Sequence, residues 1–173
     1  MNYTLIPIIS LGGNCNVPDP FLLDLWYRMC REGKEKVVFY DGFISNGDQW
    51  LDFMKSPFNY PVVVVGEDKE PEAVAWLNTY ENHSARGHHC FLRPFKRGVG
   101  EAIINYWRSM MDSNGGALLL TILGVTPETN TKAVHLAKLM GFTILGTIPN
   151  FCKLKYENKL VGGVISYICP QGG

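Results

Sequence analysis

The chain has 173 residues, enough for one domain with a full core, and 46% of them are hydrophobic against 18% charged. Lys+Arg 16 against Asp+Glu 16 leaves a formal net charge of zero, which argues against nucleic acid or an anionic membrane as partner and makes any anion recognition local. No apolar run reaches the roughly 18–20 residues of a membrane span, and the scattered Cys15, Cys30, Cys90, Cys152 and Cys169 form no C-x-x-C pair, which fits free thiols in a reducing cytoplasm and no metal site.

Residues 3–10 read as a first strand, edged by Pro7. After Gly12-Gly13-Asn14, Asp19-Pro20 predicts a helix start, with Asp19 as cap and Pro20 in the first turn. Phe21, Leu22, Leu25, Trp26 and Met29 then share one helical face. Val37–Tyr40 suggests a short strand, and residues 48–55 a brief helix burying Trp50, Phe53 and Met54. Val62–Val65, Ala73–Tyr80 and Gly87–Leu92 read as three strands of an antiparallel meander, the first two joined by the charged turn Gly66–Pro71.

Val99, Ala102, Ile103, Tyr106, Trp107, Met110 and Met111 repeat as one helix face, ended by Asn114-Gly115-Gly116. Ala117–Leu123 suits a central strand. Thr129 or Asn130 caps a helix to Met140, stopped by Gly141. Phe142–Ile148 and Leu160–Ile168 close the chain as two strands. The order predicts an α+β or mixed α/β domain with helices on both faces of a single sheet.

Between the third meander strand and the amphipathic helix stands Phe95-Lys96-Arg97-Gly98-Val99-Gly100. A basic, glycine-bearing turn opening a helix suits a phosphate, because glycine permits close approach and the first-turn N–H groups point at the anion. A P-loop would need G-x-x-x-x-G-K-S/T, and a dinucleotide fingerprint a third glycine near Ile103; neither is present.

The same stretch resembles the pyrophosphate loop of the GCN5-related N-acetyltransferase family, Gln/Arg-x-x-Gly-x-Gly/Ala, with Phe95 in the first position. A second family pattern, Asn-x-x-Ala-x-x-Leu-Tyr-x-x-x-Gly-Phe, resembles residues 130–142, which keep Asn130, Ala133, Leu136, Gly141 and Phe142. The two motifs fall within residues 87–146. The resemblance implies a single, mostly antiparallel mixed sheet with a splayed pair of central strands, here Gly87–Leu92 and Ala117–Leu123. Across 1–173, residues 1–60 would then serve the acceptor, 61–148 bind acetyl-CoA, and 149–173 add a C-terminal strand.

In such a site the pantetheine arm pairs with backbone groups near Cys90, Phe91 and Leu92. Phe95, Lys96, Arg97, Gly98, Val99 and Gly100 would cradle the pyrophosphate, Arg93, Lys96 and Arg97 would add charge, and Asn130 would bond the arm or the strand opening. The reaction implied is direct attack of a primary amine, of a small molecule or a protein, on the thioester of acetyl-CoA. It calls for a general base and for an N–H at the developing oxyanion, offered by Cys90 or Phe91. His88, His89 and Glu81 are the candidate catalytic residues, with His83 and Tyr80 weaker ones; alternation along a strand lets at most one of the two histidines face the cleft directly. Each also has a bland account, as an ordinary strand or turn residue, and Cys90 reads as packing.

Many members take the thiol's proton donor from the tyrosine of the second motif, where this chain has Ala137. Losing such a donor is worth on the order of 10²–10⁴-fold in rate. Two functions therefore stand side by side: an acetyl-CoA-dependent N-acyltransferase, and a fold relative that keeps the CoA cleft as a weak or inactive binding module. A homodimer is compatible with either.

Overall fold

Four consecutive valines, Val62–Val65, are buried. Successive strand side chains point to opposite faces, so a strand apolar throughout must be covered on both. The structure is a computed structural model that describes residues 2–169. Its strands are β1 (Thr4–Pro7), β2 (Ser10–Leu11), β3 (Asn14–Cys15), β4 (Tyr60–Val65), β5 (Pro71–Glu81), β6 (Ser84–Phe91), β7 (Thr121–Pro127), β8 (Thr143–Leu154) and β9 (Lys159–Ile168). The helices are α1 (Asp19–Arg31), α2 (Lys34–Val38), α3 (Gly47–Lys55), α4 (Arg97–Arg108) and α5 (Thr131–Leu139).

Seven strands form one sheet in the order β1-β4-β5-β6-β7-β9-β8. Every neighbouring pair is antiparallel except β6 and β7, which run parallel. The sheet is thus mixed and mostly antiparallel, as expected. Val63, Val65, Val74, Trp76, Cys90 and Leu92 pack on one face with α1 and α3. Val62, Val64, Ala73, Ala75, Leu77 and Ala85 pack on the other with Val99, Ile103 and Trp107 of α4 and Ala137 of α5.

The first face holds an aromatic cluster in which Trp26, Phe39, Trp50, Phe53 and Trp76 lie with ring centroids 5.5–6.2 Å apart. Fully burying one such side chain stabilises by about 1.5–3 kcal/mol, and Trp50 satisfies its indole by donating to the Leu22 carbonyl at 2.8 Å. On the second face, α4 presents the stripe expected from its periodicity, with Ile103 and Trp107 almost wholly buried.

Local expectations fail in five places. The first strand stops at Pro7 rather than at residue 10, and Ser10–Leu11 pairs instead with Asn14–Cys15 as a separate hairpin. Val37–Tyr40 is not a strand: Val37 and Val38 end the short helix α2, and Phe39 uses its ring against the aromatic cluster rather than its backbone in a sheet. The central strand begins at Thr121, four residues later than expected, since Met111 and Ala117 pair as an isolated bridge that closes the glycine turn. Helix α1 is capped by Pro18, with Asp19 already inside its first turn. β8 runs on to Leu154, carried past Ile148 by an irregular register against β9.

Candidate functional site

The parallel pair β6/β7 holds together over only three residues, Ser84–Arg86 against Thr121–Leu123. Beyond them Gly87–Phe91 and Gly124–Pro127 diverge, each still paired on its outer side with β5 and β9. A strand that loses its neighbour leaves N–H and C=O groups unmatched toward the gap. Leu92 N–H donates to the Glu72 carbonyl next to β5, at 2.8 Å, while the His83 carbonyl on the other edge accepts from Leu120 and Thr121. Backbone groups of alternate residues share one edge of a strand. The open groups are therefore those of Gly87, His89 and Phe91, and those of Cys90 and Leu92 face β5. This corrects the expectation that Cys90 and Leu92 would offer their amides to the gap.

A cavity of about 530 Å³ occupies the divergence, bounded by β6, β7, α2 and α5. Gly124 lies at its fork, where a Cβ would come within 2.5 Å of Ser166 Oγ. Ser166 itself is buried and donates to the Gly124 carbonyl at 3.4 Å.

On the α1–α3 side, the His88 ring stacks on Trp76 at 5.3 Å, and Nε2 lies 3.0 Å from Asn78 Oδ1. Facing an amide oxygen, Nε2 is the donor, so Nδ1 keeps its lone pair. Burial, helped by the nearby Arg86 charge, pushes the His88 pKa down to about 3, so the ring is neutral near neutral pH. Cys90 also points to this side; burial raises its thiol to about 12, which suits packing. Thr79, which lines the cavity, has φ 50° where β5 is irregular, a costly backbone for a β-branched residue.

His89 faces the other way, with its ring 5.3 Å from Phe91, and Phe91 meets Phe95 edge-on at 4.9 Å. Burial lowers His89 to about 4. Phe95 therefore fills space on the α4 side, and a Cβ on Gly100 would come within 3.4 Å of its ring. Among the described residues no acceptor meets the amides of Lys96, Arg97 or Gly98, whereas the Val99 amide is used by the Lys96 carbonyl at 2.9 Å. Val99 is thus removed from the expected cradle, while the amides of Lys96, Arg97 and Gly98, and that of Gly100 within the helix's first turn, have no acceptor among the described residues.

The loop's cations are committed elsewhere. Lys96 Nζ is 2.6 Å and Arg93 Nη1 3.2 Å from Oε1 of Glu72, and Arg93 also reaches Asp68 at 2.7 Å. Arg97 pairs with Glu101 at 2.9 Å on the open surface. A charge spent on a carboxylate neutralises less of a phosphate, so these side chains are poorer donors to an anion than the unmatched amides beside them.

Asn130 caps α5, with Oδ1 accepting from Ala133 N–H at 3.1 Å, and it borders the cavity. Ala137, Leu136 and Phe142 line the same wall. Glu81 does not belong to the site: it is exposed at the β5–β6 hairpin, on the closed side of the Ser84–Arg86 pairing. Tyr80 turns to Tyr60, with ring centroids 4.9 Å apart, and is absent from the cavity wall. Tyr40, Asn78, Thr79, Arg86 and Ser166 line the cavity without having been expected there. Asn78 reaches it in regular register, on the same strand face as Trp76, whereas Thr79 lies in the irregular stretch that follows.

No protein-family model matches the sequence, and no curated protein matches it. Solved structures do. A chimera of the Vibrio cholerae spermidine N-acetyltransferase SpeG superposes with a TM-score of 0.68 at 17% identity, over 97% of this chain and 95% of that one. The spermidine N-acetyltransferase from Vibrio cholerae, solved in complex with CoA and spermine, gives a TM-score of 0.67 at 16% identity, covering 97% and 95% of the two chains. An acetyltransferase of the GNAT family from Streptococcus pneumoniae gives 0.63 at 14% identity, over 97% and 99%. Identities this low speak for architecture alone. With its sheet parted between β6 and β7 and a glycine turn opening α4, this chain has the fold of the GCN5-related N-acetyltransferases.

Proposed function

We propose that the protein is an acetyl-CoA-dependent N-acyltransferase acting on a primary amine. The observation that carries the proposal is the parted β6/β7 pair, whose open backbone groups sit beside a helix start with unmatched amides. A pantetheine arm needs amide partners and a diphosphate needs donors, and both sets are present. His89 and Phe91 main-chain groups pair with the arm, the amides of Lys96, Arg97 and Gly98 take the diphosphate, and the Asn130 side-chain amide lies within the same wall. Acetyl-CoA, when bound, supplies a thioester whose carbonyl carbon forms the new C–N bond as its C–S bond breaks.

His88 Nδ1 accepts the proton that the amine gives up, and that proton ends on the departing sulfur. A base near pKa 3 removes no proton from an ammonium ion efficiently, so the amine arrives neutral and His88 takes its proton as the C–N bond forms. The N–H of His89 or Phe91 donates to the carbonyl oxygen as its charge grows. The chain's free thiols fit a reducing cytoplasm, and among the described residues no helix is long and apolar enough to cross a membrane.

Ala137 favours a second reading, a binding module that keeps the cleft without turnover, because it leaves the usual proton donor's place to a methyl group. Calorimetry with acetyl-CoA, followed by thiol release with a panel of amines, separates the two. Binding with turnover supports the enzyme; binding without turnover on any amine supports the module. Absence of binding overturns both.

A further inference from the structure

Arg86 stands where β6 and β7 part, on the same face of β6 as His88, and it lines the cavity half-buried. Its guanidinium has no hydrogen bond or ion pair with any described residue. Arg28, Arg93 and Arg97 each hold a carboxylate at 2.6–2.9 Å, and Arg31 and Arg108, which hold none among the described residues, are exposed to water, whereas Arg86 is half-buried. The Arg86 charge disfavours a proton on His88 and favours ionisation of Tyr40, both of which line the same cavity. Among the described residues Asp41 is the one carboxylate lining the cavity; it is exposed, and its Oδ1 already accepts from Phe43 N–H at 3.0 Å. The same side carries the rings of Phe39, Phe53 and Trp76 together with Tyr40, Asn78, Thr79 and Lys34, whose ammonium pairs with Glu32.

We infer that Arg86 recognises a carboxylate on the acceptor, so the amine that enters is that of an amino acid rather than a polyamine. The inference rests on the acyltransferase reading of the cleft and adds the class of its second substrate. A half-buried guanidinium without a counterion is costly, and its planar fork fits a carboxylate through two parallel hydrogen bonds. Residues two apart on one strand face are roughly 7 Å from each other. An α-amino acid, whose amine and carboxyl carbon are two bonds apart, can thus place its carboxylate on Arg86 and its nitrogen toward His88 Nδ1. A polyamine meets the opposite situation, since the cavity offers it Arg86 and only the rim carboxylate of Asp41. The transfer itself balances as before: the C–N bond forms, the C–S bond breaks, and the amine proton passes to the thiol.

The test compares the standard amino acids as free acids, the same compounds as amides, and spermidine. Binding to the CoA-loaded protein and thiol release from acetyl-CoA are both measured. The expected result is a preference of about tenfold or more for at least one free acid over its amide. Arg86→Met should erase that preference while acetyl-CoA binding holds, and Arg86→Lys should keep part of it. Equal use of acid and amide, selection of spermidine, binding of none of the amines, or an unchanged preference in Arg86→Met overturns the inference. Loss of acetyl-CoA binding in the unaltered protein overturns the acyltransferase reading instead, which the calorimetric arm registers separately.

Discussion

Lys96 Nζ lies 2.6 Å from Oε1 of Glu72, a carboxylate only 3% exposed, and this pair ties the glycine turn to the second strand of the meander. The Glu72 carbonyl adds to the tie by accepting from Leu92 and Arg93 amides at 2.8 and 3.3 Å. Glu72 is the extra residue where the β4/β5 register slips, which turns its side chain toward the loop rather than along the pleat. One buried acid thus sets where the free amides of α4 point. Glu72→Gln should cost about 1–3 kcal/mol of stability and weaken CoA binding several-fold. Denaturant melts and calorimetry check both; undiminished affinity would show that the turn holds its shape without the pair.

Gly98 faces Tyr3. A Cβ there would lie 3.0 Å from the tyrosine ring, so a side chain at 98 meets a protein group as well as the phosphate proposed to bind there. Gly98→Glu should abolish CoA binding through both effects. In a Tyr3→Ala background the steric part disappears, so Gly98→Ala should then bind CoA as well as Tyr3→Ala alone, and Gly98→Glu should still fail. If the glutamate variant binds normally in that background, the amides at 96–98 do not hold the diphosphate.

His88 and His89 make the fold sensitive to acid. An unfolded histidine titrates near pH 6.5, while the folded pair titrates at about 3 and about 4. Above pH 6.5 both states are neutral and folding carries no proton penalty. Below it the unfolded chain takes up protons that the folded one refuses, so stability falls by about 1.4 kcal/mol per pH unit for each histidine until the folded pKa is passed. By pH 5 the pair should account for about 4 kcal/mol. Thermal melts from pH 7.5 to 5 should show that loss, and His89→Gln should remove about half of it. A Tm flat across this range would contradict the buried, neutral rings.

Turnover should not report a histidine titration near neutrality. His88 stays uncharged there, so the rise of rate with pH follows deprotonation of the acceptor amine. His88→Ala should lower kcat on the order of 10²-fold and leave the midpoint of that rise in place. A midpoint displaced toward lower or higher pH in the variant would assign the titration to His88 itself.

Asn78 should act through His88. Its Oδ1 holds Nε2 at 3.0 Å and thereby leaves Nδ1 as the lone-pair nitrogen. Asn78→Asp offers a stronger acceptor and should raise the His88 pKa, which makes a histidine titration visible in the rate profile. Asn78→Leu should lower kcat with little change in KM for acetyl-CoA. A KM effect alone would place Asn78 in binding rather than in positioning the ring.

Several features of the site were legible one segment at a time. Gly98 and Gly100 after an apolar strand, the α4 stripe ending at Trp107, and Asn130 capping α5 are local patterns with local causes, and they place the turn and its helix correctly. The alternation of His88 and His89 likewise follows from strand geometry alone. Val37–Tyr40 misleads for the opposite reason: a β-branched pair prefers a strand only where a neighbouring strand exists, and here the aromatic cluster takes Phe39 instead. Glu81 misleads because nearness in sequence to β6 does not say which end of the strand opens.

From its order of residues alone this chain determined which segments turn, which coil and which lie flat, because capping, glycine freedom and apolar spacing act within a few residues. The third dimension decided what those segments are for. Where β6 leaves β7, whether Lys96 meets solvent or Glu72, and that Arg86 finds no acid beside it all depend on partners distant in the chain. Such contacts are settled only when the two faces of the sheet are covered and each charge has found, or failed to find, its counterpart.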